Sequence, residues 1–207
     1  FIFDAQVSKQ YDDRESIKNI IIKGLNFYTD NKKYGFDELS HQISAHGVSG
    51  FSVLNCTFTG FLGDGIAINA GTDFRENYGA YNKNVTIINS HFDGVTKNNR
   101  QGISFYYCDG FLVENCTFKN ITRSDMPGAI DIEPMEDWQI SRKGIIRNCS
   151  FENIGGIAAV LFFLFDQSKE TPQKSSYGYV LENCTFKNVR APLAVIGHDD
   201  FIKYNKA

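Results

Sequence analysis

The sequence predicts an all-β solenoid, a right-handed single-stranded parallel β-helix of about six coils or more, and three observations carry that prediction. A short phrase recurs as Asn55-Cys56-Thr57-Phe58, Asn89-Ser90-His91-Phe92, Asn115-Cys116-Thr117-Phe118, Asn148-Cys149-Ser150-Phe151 and Asn183-Cys184-Thr185-Phe186, with a degenerate copy at Gly24-Leu25-Asn26-Phe27. The full copies are 26 to 35 residues apart, which is the period of a stacked-repeat architecture. Within each copy apolar and polar residues alternate with period two, so each is a strand. A second apolar run follows every copy, and coils this short cannot bury their apolar faces unless each strand pairs with its equivalent in the next coil.

The elements follow in order. In the strand around Asn115, Val113, Cys116 and Phe118 alternate against Glu114, Thr117 and Lys119, with a change of phase at Asn115. That change marks a corner, and the repeated Asn is expected to face inward there as an amide ladder, above columns of Phe and Cys. The second runs are Gly65-Ile66-Ala67-Ile68-Asn69, Gly102-Ile103-Ser104-Phe105-Tyr106, Ala129-Ile130-Asp131-Ile132-Glu133, Gly156-Ile157-Ala158-Ala159-Val160 and Pro192-Leu193-Ala194-Val195-Ile196. With the Asn pointing inward, the N-x-S/T matches at Asn55, Asn115, Asn148 and Asn183 are expected to be incidental. The run Leu161 to Phe165 is too apolar for one strand face, and its outer half is expected to cover a neighbouring subunit or a returning loop.

Composition narrows the function classes. The 207 residues are 42% apolar with a net charge of -3, which describes a folded body, expected to be one domain over residues 1–207 and a piece of a longer chain. Phosphate binding needs clustered Lys and Arg, so a nucleic-acid partner is not expected. The longest apolar run, Ile157 to Phe165, is far short of the roughly 20 residues of a helical span, so membrane insertion is not expected either. Four of the five cysteines share one repeat position and no C-x-x-C pair occurs. They are expected to be small buried thiols, with no metal site and no cofactor.

Stacking the second runs, with Gln42-Ile43-Ser44-Ala45-His46 ahead of them, locates the chemistry. The inward columns come out apolar throughout. The outward columns are Ser44, Ala67, Ser104, Asp131, Ala158, Ala194 and His46, Asn69, Tyr106, Glu133, Val160, Ile196, with His41, Asp64, Arg100 and Gln101 just upstream. A polar strip on the early coils is thus expected to be an exposed groove for an extended polysaccharide. Asp131 and Glu133 stand at i and i+2, about 6.5 to 7 Å apart at Cα, and Asp64 lies on the order of 10 Å away. Two flanking carboxyl groups are what glycoside hydrolysis needs, and room for a water between them favours inversion. Asp131, Glu133 and Asp64 are therefore the candidate catalytic residues. Arg100, Gln101, Tyr106, Asn69, His46 and Ser104 are candidate substrate contacts, with Arg100 suited to an acidic sugar or a lyase enolate and Trp138 to stacking on a sugar ring. His198-Asp199-Asp200 lies past the last coil and is set aside.

Arg100-Gln101-Gly102-Ile103-Ser104, then Asn115-Cys116-Thr117-Phe118, then Gly128-Ala129-Ile130-Asp131-Ile132-Glu133-Pro134 resembles the pattern of pectate-lyase-like right-handed β-helix proteins, common among phage tailspikes and bacterial carbohydrate-active proteins. The repeat covers nearly the whole chain, the two motifs about 35 residues. The resemblance implies an extracellular protein, a homotrimer or part of a larger spike, that binds and often cleaves a surface glycan. Asp131, Glu133 and Arg100 match the pattern directly. The polygalacturonase series N-T-D, D-D and G-H-G is absent, as is an evident pectate-lyase calcium cluster. Hydrolysis is the first expectation, a polysaccharide lyase the second, and a non-catalytic glycan-binding spike the third.

Overall fold

The computed structural model describes residues 2–4, 17–69, 81–134, 139, 141–164 and 177–197. Its strands stack into three parallel sheets. The first sheet has seven strands: Ile2–Asp4, Ile43–His46, Ile66–Asn69, Ile103–Phe105, Ile130–Ile132, Val160–Leu164 and Leu193–Gly197. The second has six: Lys18–Lys23, Ser49–Leu54, Asn82–Ile88, Cys108–Glu114, Ser141–Arg147 and Val180–Glu182. The third also has six: Asn26–Tyr28, Thr57–Thr59, His91–Asp93, Thr117–Ile121, Ser150–Ile154 and Thr185–Val189. Each coil visits the second, third and first sheet in turn, so neighbouring strands in a sheet come from successive coils.

The core is built in columns. Phe27, Phe58, Phe92, Phe118, Phe151 and Phe186 stack face to face with ring centroids 4.7 to 5.1 Å apart, which is the spacing of hydrogen-bonded strands. Two glycines let the first sheet approach this column. A Cβ on Gly65 would sit 3.0 Å from the Phe92 ring, and one on Gly102 would sit 2.9 Å from Phe118. The cysteines of the phrase pack beside the rings as free thiols, with Cys56, Cys116 and Cys149 buried and Cys184 half-buried. Outward, registered neighbours carry opposite charge: Asp109 with Arg142 at 2.7 Å, Glu114 with Arg147 at 2.8 Å and Glu152 with Lys187 at 2.6 Å.

Two expectations need correction. The corner asparagines do not point inward. Asn55, Asn89, Asn115, Asn148 and Asn183 adopt φ of 51 to 54° and are exposed. The left-handed residue is the extra one that shifts the strand's phase, and the following Cys or Ser takes the inward place. Asn tolerates this conformation better than other side chains bar glycine. The amide ladder exists, but at the next corner, where Asn188 donates to Asn153 (2.7 Å), Asn153 to Asn120 (3.1 Å) and Asn120 to Asp93 (3.0 Å). Accordingly, Asn115→Val is expected to cost about 1–3 kcal/mol through backbone strain, whereas Asn115→Gly stays close to the parent. Denaturant unfolding of the two variants checks this.

The second correction is register. Ile43, Ile66, Ile103 and Ile130 align as expected, but the next partner is Val160, not Ile157. The chain first spends three residues on a tight corner at Gly156, φ 80°, where the Met126 carbonyl packs against the position a Cβ would occupy. Ile157 is left exposed, and Leu161 and Phe163 replace Ala158 and Val160 in the outward columns. Leu161 and Phe163 are buried within this chain, so of the two covers expected for this run, a neighbouring subunit is not needed. Phe165 lies outside the described residues.

Candidate functional site

The strip forms where the first sheet begins. Ile66, Ile103 and Ile130 are in register, so Asp64 and Gln101 fall side by side, as do Ser104 and Asp131 one rung apart. The N–H groups of Tyr106 and Glu133 continue the ladder to the carbonyls of Ile68 and Phe105, both at 3.0 Å. Short polar side chains on such a sheet can reach across the rung spacing to one another, and here they do.

Asp64 is the hub. Its Oδ2 accepts from Ser104 Oγ at 2.8 Å and faces Arg100 Nη1 at 3.5 Å, while its Oδ1 accepts from the Gln101 backbone N–H at 3.2 Å. Burial pushes its carboxyl up to about 6, against the pull of Arg100, Ser104 and the Gln101 amide. His41 Nδ1 accepts the Asp64 backbone N–H at 3.0 Å, so that nitrogen carries no proton. Burial and the nearby Arg100 charge hold the imidazole down at about 4. The 3.3 Å approach of His41 Nδ1 to Asp64 Oδ2 is thus a contact of a neutral ring with the carboxyl, not an ion pair.

Gln101 links this hub to the second one. Its Nε2 donates to Asp131 Oδ2 at 3.2 Å. Asp131 Oδ1 and Gln101 Oε1 are buried and meet no hydrogen-bond partner among the described residues. Burial raises the Asp131 carboxyl well above the ordinary carboxylate range, and the charge and contact of Glu133 add to the rise. Two carboxyl groups in contact share a proton more readily than both ionise. Tyr106 is buried over the network, which raises its phenol. Although burial opposes it, Arg100 is held protonated by Asp64, Tyr106 and Glu38.

The expected open groove is therefore corrected to a largely covered one. Asp64, Gln101, Ser104 and Asp131 are 0% exposed and Tyr106 is nearly so, and the four polar residues bond to one another across rungs, leaving Asp131 Oδ1 and Gln101 Oε1 over. Glu133 and Arg100 remain half-buried at the surface. The Asp131–Glu133 contact is also closer than the roughly 6.5–9.5 Å gap of an inverting pair. His46 and Asn69 are half-buried registered neighbours on the adjoining rungs, beside the network rather than at its hub. Trp138 and the His198-Asp199-Asp200 segment lie outside the described residues. His41 stands upstream of the strip with nothing in the sequence that marks its role, and Glu38, 3.2 Å from Arg100 Nη2, occupies no repeat position that could mark it. Among the described residues, no group of three or more His, Cys, Asp and Glu side chains is arranged to hold a metal ion.

The stacked parallel sheets, with one polar strip on the first of them, define the class as a parallel β-helix. A family model described as right handed beta helix region matches residues 41–206, and the chain belongs to that family. Comparison with curated proteins and with solved structures gives no match. The fold is consistent with carbohydrate-active proteins in general.

Proposed function

We propose that this chain cleaves an extended surface polysaccharide by glycoside hydrolysis, as a depolymerase of the tailspike type. The observation that carries the reading is the Asp131–Glu133 pair, one member buried with a raised affinity for its proton and the other reaching solvent. Two such carboxyl groups favour sharing a proton over both ionising. Glu133, the member that reaches the surface, gives the shared proton to the leaving glycosidic oxygen and takes one back from the water that adds to the sugar, while buried Asp131 stores the proton behind it, so the pair ends the turnover with one proton again. Asp64, through Ser104, Gln101 and Arg100, positions the strip rather than touching substrate. A lyase is less well supported, since Arg100 is held protonated and is a poor base. The reading places the protein outside the cell, as a homotrimer or part of a larger spike, and light scattering on the purified protein tests the assembly.

A specific observation favours a second reading. Asp64 and Asp131 are fully buried, which suits a cross-rung brace in a non-catalytic glycan-binding spike. Digestion of capsular and cell-wall glycans, with the new ends identified by mass, separates the two. Hydrolysis adds one water per cut, and a lyase leaves unsaturated, ultraviolet-absorbing ends. Asp131→Asn and Glu133→Gln are expected to bind glycan yet release no product. A wild-type protein that binds a glycan and never shortens it would establish the spike instead.

A further inference from the structure

We infer that Arg100 is a receptor for the carboxylate of an acidic sugar and that Glu38 is its built-in competitor; this rests on the reading that the strip faces a glycan. The two halves of the guanidinium have unlike partners. Nη1 faces Asp64, 0% exposed, and Nη2 pairs with Glu38 Oε1 at 3.2 Å, whose side chain is 60% exposed. The inner pair fixes the guanidinium and keeps its charge. The outer pair is a surface ion pair of the kind that contributes little. It marks a place where a carboxylate already fits.

Glu38 can leave without the backbone moving. Its segment is pinned across the rungs by buried Asn31, which donates to the Gly94 carbonyl at 2.7 Å and accepts from Thr96 Oγ1 at 3.2 Å, while Asn98 Nδ2 donates to the Asn31 carbonyl at 3.3 Å. The Glu38 and Asp37 carbonyls pack on Gly63, next to Asp64. Rotation of the Glu38 side chain alone therefore frees Nη2. An incoming carboxylate held by the rest of its sugar chain takes the charge-assisted bond that Glu38 gives up. The same segment offers apolar surface for sugar rings, with Phe36 braced by the Arg123 guanidinium at 3.7 Å and Tyr34 and Leu39 exposed. The substrate class is a glycan that contains uronic acid.

The test is calorimetric titration of a panel of uronic-acid oligosaccharides, and of the same oligosaccharides carboxyl-reduced to neutral sugars, into the wild type, Glu38→Gln and Arg100→Lys. Glu38→Gln is expected to bind the acidic form roughly 2- to 5-fold tighter, the worth of an exposed ion pair, with neutral sugars unaffected. Arg100→Lys, checked for an unchanged melting temperature, is expected to lose about tenfold for the acidic form only. Equal binding of acidic and reduced forms, no effect of Glu38→Gln, or no binding by any acidic oligosaccharide overturns the inference. Cleavage of reduced glycan as fast as the acidic form would sink it and leave hydrolysis standing. Acidic binding tightened by Glu38→Gln, without cleavage of any glycan, would sink hydrolysis and leave it standing.

Discussion

Phe118→Ala is expected to lower the unfolding free energy by about 3–5 kcal/mol, the cost of truncating a fully buried Phe. Phe118 is 1% exposed and lies between Phe92 at 4.8 Å and Phe151 at 4.9 Å, with interplanar angles of 6° and 7°. Both ring faces lose their partner at once. Gly102 rests against the ring edge, so the cavity opens beside Gln101 and the strand that carries Ser104. The neighbouring rungs cannot collapse into it, because the parallel ladders above and below hold them at strand spacing. Phe27→Ala, at the end of the described column and only partly buried, should cost clearly less. Urea unfolding followed by circular dichroism compares the two. A loss below about 1 kcal/mol for Phe118→Ala would show that the column is not the axis of stability.

The second large effect is a pair of opposed pH dependences. Asp64 has a folded pKa raised to about 6 from 3.8. The folded state therefore holds this proton more tightly than the unfolded chain, and its contribution is present below about 4 and lost as pH rises through 6. His41 is depressed from 6.5 to about 4. Its contribution is present above 6.5 and lost as pH falls through 4. Each amounts to about 3 kcal/mol at most, because moving a pKa by one costs about 1.4 kcal/mol, and across pH 4 to 6 the two cancel in the parent. Relative to the parent, His41→Gln is expected to gain stability as pH falls from 7 to 4, and Asp64→Asn to lose it. Unfolding free energies at intervals across that range decide the matter. Parallel curves for both variants would mean that the contact is electrostatically silent.

How much was legible depends on whether a residue belongs to the repeat. The polar residues of the strip fall in the expected columns through Ile130, because Ile66, Ile103 and Ile130 keep a common frame and each rung copies the last. The frame failed at Ile157, where three extra residues form the Gly156 corner. Periodicity sees inward and outward, but an outward position is not an exposed one. Asp131 and Ser104 point away from the core and are nonetheless 0% exposed, because they bond across rungs to Gln101 and Asp64 instead of facing solvent.

The sequence by itself determined the solenoid and the Phe and Cys columns, because these depend on local alternation, a single left-handed residue at each corner and repetition. The tertiary structure alone decided which way the corner asparagines face, where the amide ladder runs, that the acidic strip is closed, and that Glu38 and His41 meet Arg100 and Asp64. Those outcomes depend on the non-repeating connections, above all the segment from Asp30 to His41. A connection's path across neighbouring rungs is set by contacts distant in the chain, such as Asn31 with Gly94, and these leave no period in the sequence.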